Sequence, residues 1–397
     1  MSLLVPFSFL AFIALGLPDG LLGIAWPGLQ ADFGLPLDAL GILLAFSMTG
    51  YILSSFGCGK LLARMGIGPL LASSTLLAAI SLAGFALLPG FRFLLAAAFL
   101  AGLGGGAVDS ALNTYAAFRF SPRALNWLHA SYSLGALLGP LTLSAVMHAG
   151  LSWRWGYGFV AIVQSALGIF FFATRRTWNA ALAASGSAPA EAATASYRET
   201  LSLGAVWPGV LAFFAYAGLE YAVGQWSFTL LTKGRAIDPG KAALWMSVYW
   251  GGFFGGRVLA GLSPLGDRIR TLLWLCAAGM IAGTALIAAG GSGPAALAGL
   301  FLTGLAFAPV FPTLIALTPL RLGARHAGNA MGFQVSAATV GQAVVPGLIG
   351  VAAQRAGVEA IARSFVLSAI FVLICLALLM RGGKASEAPV RDQRDSL

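Results

Sequence analysis

Three acids stand deep inside apolar sequence: Asp19, Asp109 and Glu220. A carboxylate at membrane depth costs several kcal/mol unless it is paired, hydrated or protonated. No lysine or arginine stands at comparable depth, because Arg257 reads as lying near the end of its apolar segment. The acids are therefore expected to face a cavity without a matched base and to exchange protons reversibly. The competing reading keeps each acid protonated and bonded to a neighbouring helix, a packing role only.

Polar and aromatic neighbours extend this set. Asn113 follows Asp109 by four residues and shares its helix face, where an amide can donate to a solute hydroxyl or bond a helix. Gln225 and Trp226 follow Glu220; an indole offers a flat apolar face and one N–H donor, suited to a sugar ring or to an interfacial belt. His129 and Tyr132 open another segment, the histidine either relaying protons or satisfied by a backbone carbonyl. Gln334 and Gln342, eight apart, put amides near one face of a later segment, for a cavity or for helix packing.

The elements that must carry these residues are membrane spans. Of 397 residues, 59% are hydrophobic and 9% charged, and the mean hydropathy is +0.88. A soluble chain carries about 25% charged residues. At about 20 apolar residues per helix, the hydrophobic residues fill about twelve spans. Punctuation by glycine, proline and charge places six near 4–29, 37–62, 69–88, 91–118, 126–149 and 155–174. Six more fall near 204–231, 240–263, 269–289, 294–319, 326–350 and 358–380. The polar stretch 175–203 reads as a linker between the halves 1–174 and 204–380, and 381–397 as a tail. The N-terminus lacks a basic leader and reads as a retained first helix.

The net charge of +10 comes from scattered residues, without the basic stripe that nucleic acid requires. Fifteen of the 23 lysines and arginines fall on the side of the termini and seven on the other, Arg257 being the remaining one. That bias predicts cytoplasmic termini. Cys58, Cys276 and Cys375 read as small buried hydrophobes, and no metal or cofactor motif is present. An intramembrane enzyme lacks support, with no HExxH and no serine motif beside a histidine.

The halves echo each other. GKLLARMGIG ends the second segment and GRVLAGLSPLGDRIR the eighth; Asp19 precedes Gly23 by four residues as Glu220 precedes Gly224. Twelve spans split six and six, with a basic loop after the second, resemble the major facilitator superfamily. Its loop pattern is matched at Gly59, Leu61, Arg64 and Gly66, but Ala63 replaces the family's aspartate and Ile67 and Gly68 its basic residues. The stretches GLPDGLLGIAWPGL, GGGAVDSALNTYAA, LNWLHASYSLGALLGP, GLEYAVGQWSFTLL and WGGFFGGRVLAG resemble the fucose permease and sodium-dependent glucose transporter-like branch.

The resemblance implies an all-α membrane fold of two pseudo-symmetric six-helix bundles, without cofactor, enzyme activity or metal. It also implies symport of a small polar solute such as a monosaccharide by alternating access. Asp19, Asp109 and Glu220 would couple a cation, and Lys60, Arg64, Arg257, Asp267 and Arg268 would gate the inner face. Expected partners are a small-molecule substrate, protons or sodium, and the lipid bilayer of a bacterial inner membrane. No nucleic acid is expected, and the chain would act as a monomer. A proton-coupled antiporter exporting a cationic or amphipathic compound is the alternative, since unpaired acids can neutralise such a ligand.

Overall fold

The computed structural model describes residues 4–119, 122–178, 195–262, 268–291 and 293–381. The first half comprises α1 (Leu4–Gly16), α2 (Leu21–Phe33), α3 (Ala39–Met65), α4 (Ile67–Leu87), α5 (Phe91–Arg119), α6 (Pro122–His148) and α7 (Trp153–Ala173). A short α8 (Tyr197–Leu201) precedes the second half. That half comprises α9 (Trp207–Thr229), closed by a π turn at Leu230–Gly234, α10 (Pro239–Leu262), α11 (Ile269–Ala289), α12 (Pro294–Phe307), α13 (Val310–Leu322), α14 (Ala324–Ala356) and α15 (Ala360–Arg381).

Among the described residues, nine stretches are long and apolar enough to span a bilayer. The spans α3, α9 and α10 complete twelve, and they carry Tyr51, Glu220 and Arg257 of the site described below. The architecture is all-α, two six-helix bundles related by pseudo-symmetry. Two spans expected to be continuous are broken. The first is interrupted at Leu17–Gly20, between α1 and α2, and the tenth at Ala308–Pro309, between α12 and α13. Pro18 and Pro309 each remove a helix N–H donor, which explains both interruptions. Irregular backbone is tolerated at membrane depth only where protein or a water-filled cavity covers it.

Close helix approach is set by glycine. Within the first bundle, Gly102 and Gly106 of α5 abut the backbone of Ser47 and Tyr51 in α3. Their counterparts Gly252 and Gly256 of α10 abut Phe301 and Leu305 in α12. The duplicated packing keeps the same helix pairs, and in each the partner helix supplies a glycine in return, Gly50 of α3 against Phe99 and Gly304 of α12 against Tyr249.

The described ends Leu4 and Arg381, with Arg64 and Arg268, share one face of the molecule, here the terminal face; the other is the distal face. The bundles meet along two seams. The α6–α10 seam is continuous: Ser144 Oγ donates to Gly240 O at 3.1 Å, Gly251 faces Leu137, and Arg257 reaches Ser133. The α3–α14 seam is closed only distally. There Leu37 N donates to Gln354 Oε1 at 3.0 Å, and a Cβ on Gly41 would lie 2.8 Å from Gly347 Cα. Towards the terminal face the two helices differ in exposure, since Met48, two turns from Gly41 on the same side of α3, is buried. Val340, two turns from Gly347 on the same side of α14, is 43% exposed. The seam is thus shut distally, and α14 becomes exposed towards the terminal face.

The Gly41–Gly347 contact has a direct consequence. Overpacking a tight contact costs about 1–3 kcal/mol. Gly41→Val is expected to raise distal opening about five- to hundredfold. An impermeant maleimide should then label Leu37→Cys correspondingly faster, and unchanged labelling would refute the account.

Candidate functional site

The break in the first span delivers Asp19 to the interior. Asp19 N donates back to Gly16 O at 3.1 Å, so the carboxyl leaves from a turn rather than from a regular helix. Gly16 abuts the backbone of Tyr132 and Gly135 that of Ile13, which draws α1 and α6 together at this level. The Tyr132 hydroxyl there donates to Asp19 Oδ2.

The other two acids are met in the same way. Tyr51 of α3 donates to Asp109 Oδ2 of α5 at 2.6 Å. Tyr216, one turn before Glu220 in α9, donates to Glu220 Oε2 and lies 3.1 Å from Phe307 O. Tyr249 of α10 donates to Glu220 O at 3.0 Å. All three carboxylates are half-buried, and Asp19 is repelled by both Asp109 and Glu220. Those repulsions put the three acids in one electrostatic neighbourhood that spans both bundles.

The expectation of acids without a base is corrected by Arg257. Its guanidinium does not turn out of the end of α10 but turns inward. One terminal nitrogen donates to His129 O at 2.7 Å and to Ser133 Oγ at 2.9 Å, both on α6 of the other bundle. The group lies over the rings of Phe253 and Tyr132, and its Nε is buried without a partner. Arg257 and Glu220 attract each other. None of the three ion pairs among the described residues includes Asp19 or Glu220; those pairs, Arg154–Asp32, Arg235–Glu359 and Arg325–Glu199, lie at the faces.

The remaining candidates separate. His129 packs its ring edge-on against Phe12, 5.4 Å between centroids, and gives its carbonyl to Arg257. Trp226 is fully buried and donates to Pro346 O at 2.9 Å, so its indole ties α9 to α14 and does not face a cavity. Gln225 is buried beside the α2 crossing at Gly23, bonds Tyr221, and leaves Oε1 unsatisfied. Gln334 accepts from Thr318 Oγ1 at 2.8 Å and lines a small separate cavity with Arg321. Gln342 is half-buried, and Arg64 and Arg268 are exposed on the terminal face. The side chains of Asn113 and Lys60, and residue Asp267, lie outside the described residues. The sequence reading passed over Tyr51 and Tyr216. Only the four-residue spacing of Tyr216 and Glu220 signalled either one.

The sequence pattern described as the Major Facilitator Superfamily matches residues 8–334. The chain belongs to that superfamily. A putative glucose/galactose transporter of Helicobacter pylori is 32% identical over 145 residues, a stretch covering 36% of this chain and only 34% of that relative. The glucose/mannose transporter GlcP of Bacillus subtilis is 23% identical over 367 residues, 87% of this chain and 86% of the relative. In fold, the chain matches the nucleoside transporter NupG with a TM-score of 0.73 at 13% identity, covering 96% of this chain and all of that one. It matches the transporter FucP with a TM-score of 0.62 at 18% identity, covering 95% and 98%. The protein is therefore a multi-pass membrane transporter of this superfamily and not an enzyme.

A coupled Glu220–Arg257 pair behaves non-additively. Glu220→Gln and Arg257→Leu are each expected to lower the melting temperature of the purified protein. The double variant should cost about 1 kcal/mol less than the sum. Strict additivity in thermal melts would show that the two charges do not interact.

Proposed function

We propose that the protein is a proton-coupled symporter of a small polar solute, a monosaccharide or a close relative. It works as a monomer in a bacterial inner membrane with its terminal face cytoplasmic. The observation that carries this reading is the pairing of midplane carboxylates with tyrosine hydroxyls. A phenol donates to an ionised carboxylate and accepts from a protonated one, whereas lysine and arginine only donate. Each acid therefore keeps a hydrogen-bonded partner in both protonation states, and neither state is stranded in a low-dielectric interior.

Asp19, bonded across α1 and α6, and Asp109, bonded across α3 and α5, take and release the proton. Glu220, balanced by Arg257, holds solute hydroxyls from the second bundle with Gln225, whose Oε1 has no partner. Sugar as the substrate class draws support from the glucose, galactose and mannose named for the relatives. Export of a lipophilic cation is disfavoured by Arg257, whose positive charge occupies the same neighbourhood.

The test is flux into proteoliposomes over a panel of monosaccharides and lipophilic cations, with proton and sodium gradients imposed separately. An inward proton gradient is expected to drive sugar accumulation. Asp19→Asn should reduce that accumulation at least tenfold while leaving exchange of labelled for unlabelled sugar in place. Accumulation that ignores pH, or expulsion of the cations instead, would overturn the reading.

A further inference from the structure

The segment before α9 is fastened to the terminal end of α14 by an unusually dense set of contacts. Ala195 N donates to Arg325 O at 3.2 Å, and Asn329 Nδ2 returns a bond to Ala195 O at 2.7 Å. Asn329 Nδ2 also reaches Thr200 Oγ1 at 3.2 Å, and the same hydroxyl meets His326 Nδ1 at 3.1 Å. Arg325 pairs with Glu199 at 2.8 Å, and Tyr197 packs on Phe333 with ring centroids 5.9 Å apart. Ser196 caps the short helix by accepting from Glu199 N, and Trp207 Nε1 holds Leu201 O.

The helix face that carries these contacts has another use. Positions 329 and 347 are eighteen residues apart, five turns at 3.6 residues each. Asn329 therefore shares the face through which Gly347 meets Gly41 at the distal end of the α3–α14 seam. The phase is consistent along the helix, since Gln334 and Gly341, seven apart, both face α9 at Gly209 and Phe214. In α3 the same eighteen-residue interval carries the face of Gly41 to position 59. Closing the terminal half of the seam in the distal register brings position 59 towards Asn329, where segment 195–201 now sits.

We propose that segment 195–201 is a strap that props the terminal gate open, and that it must leave Asn329 before α3 can close on α14. The inference rests on the alternating-access reading given above. Two features suit the strap to repeated release. Arg325 and Glu199 are both largely solvent-facing, and exposed ion pairs hold only weakly. Its remaining ties to α14 are hydrogen bonds and one ring contact confined to the terminal end of that helix, so they can open without disturbing the bundle.

The experiment uses the full chain with Cys58, Cys276 and Cys375 replaced by alanine. Strap release by Asn329→Ala with Glu199→Ala should raise impermeant-maleimide labelling of Leu37→Cys at least threefold and lower that of Val340→Cys. Strap fixation by a disulfide between Tyr197→Cys and Phe333→Cys should reduce flux at least tenfold, restored by reductant; the reduced form is the folded control. A fall or no change in Leu37→Cys labelling on release, or normal flux in the oxidised form, overturns the proposal. If the unmodified protein carries no solute on the panel yet release shifts labelling, the transport reading fails and the strap stands. Sugar flux with unmoved labelling defeats the strap alone.

Discussion

A carboxyl group inside a bilayer must have a partner that suits it whether charged or neutral, and the interior is organised around that constraint. Tyrosine meets it, because its hydroxyl reverses hydrogen-bond direction as the acid changes state. The demand propagates outward. Tyr132 reaches Asp19 only because Gly16 and Gly135 let α1 and α6 pack backbone to backbone. Tyr51 reaches Asp109 only because Gly102 and Gly106 do the same for α3 and α5. The break at Leu17–Gly20 belongs to the same arrangement, since it turns the Asp19 side chain inward from an irregular stretch.

The duplicated halves preserve geometry and let charge vary. On the distal face of the first bundle, Arg154 pairs with Asp32 and donates to the carbonyls of Ala86 and Leu88 that end α4. In the second bundle, Arg235 pairs with Glu359 and donates to Gly291 O just beyond α11. Both knots cap the last carbonyls of the third helix in a half, where the helix dipole favours a cation. The polarity is nevertheless exchanged. The acid leaves the first helix and the base opens the sixth in one half; the base leaves the first and the acid opens the sixth in the other. What duplication kept is an ion pair at that joint together with a capped helix end.

The fold was legible because bilayer solubility writes itself into composition and period: twelve apolar stretches leave few alternatives. Asp19, Asp109 and Glu220 stood out because acids are rare in such stretches. Tyr132 was a candidate without its partner, and Tyr51 and Tyr216 were missed, since Tyr is unremarkable in an apolar helix and two of the three pairings join spans distant in sequence. Arg257 was misread for a related reason. An arginine near a helix end is expected to stretch its head towards water, whereas here His129 O, Ser133 Oγ and the rings of Tyr132 and Phe253 favour the inward rotamer. Trp226 shows the converse error. Its chemistry suits a sugar face, but its register points it at Pro346, and register between helices is not encoded in one segment alone. The broken spans were signalled by Pro18 and Pro309, yet proline in a membrane helix need not break it.

The two seams between the bundles behave differently, and that difference limits how the carrier can move. Along α6 and α10 the contact runs from Ser144–Gly240 to Ser133–Arg257, so those helices stay joined over their whole length. Along α3 and α14 the contacts at Gly41–Gly347 and Leu37–Gln354 are distal. In the alternating-access reading proposed above, the mouth lies on the α3–α14 side and its closure would rotate the bundles about the α6–α10 seam. Arg257 sits on that axis, bonded to one bundle from the other and attracted by Glu220. A guanidinium on the axis changes its surroundings little as the bundles rock, whereas Asp19 and Glu220, on opposite sides of the cavity, change theirs more. In the proton-coupled reading proposed above, protonation of the acids would bias that motion against the nearly constant field of the arginine.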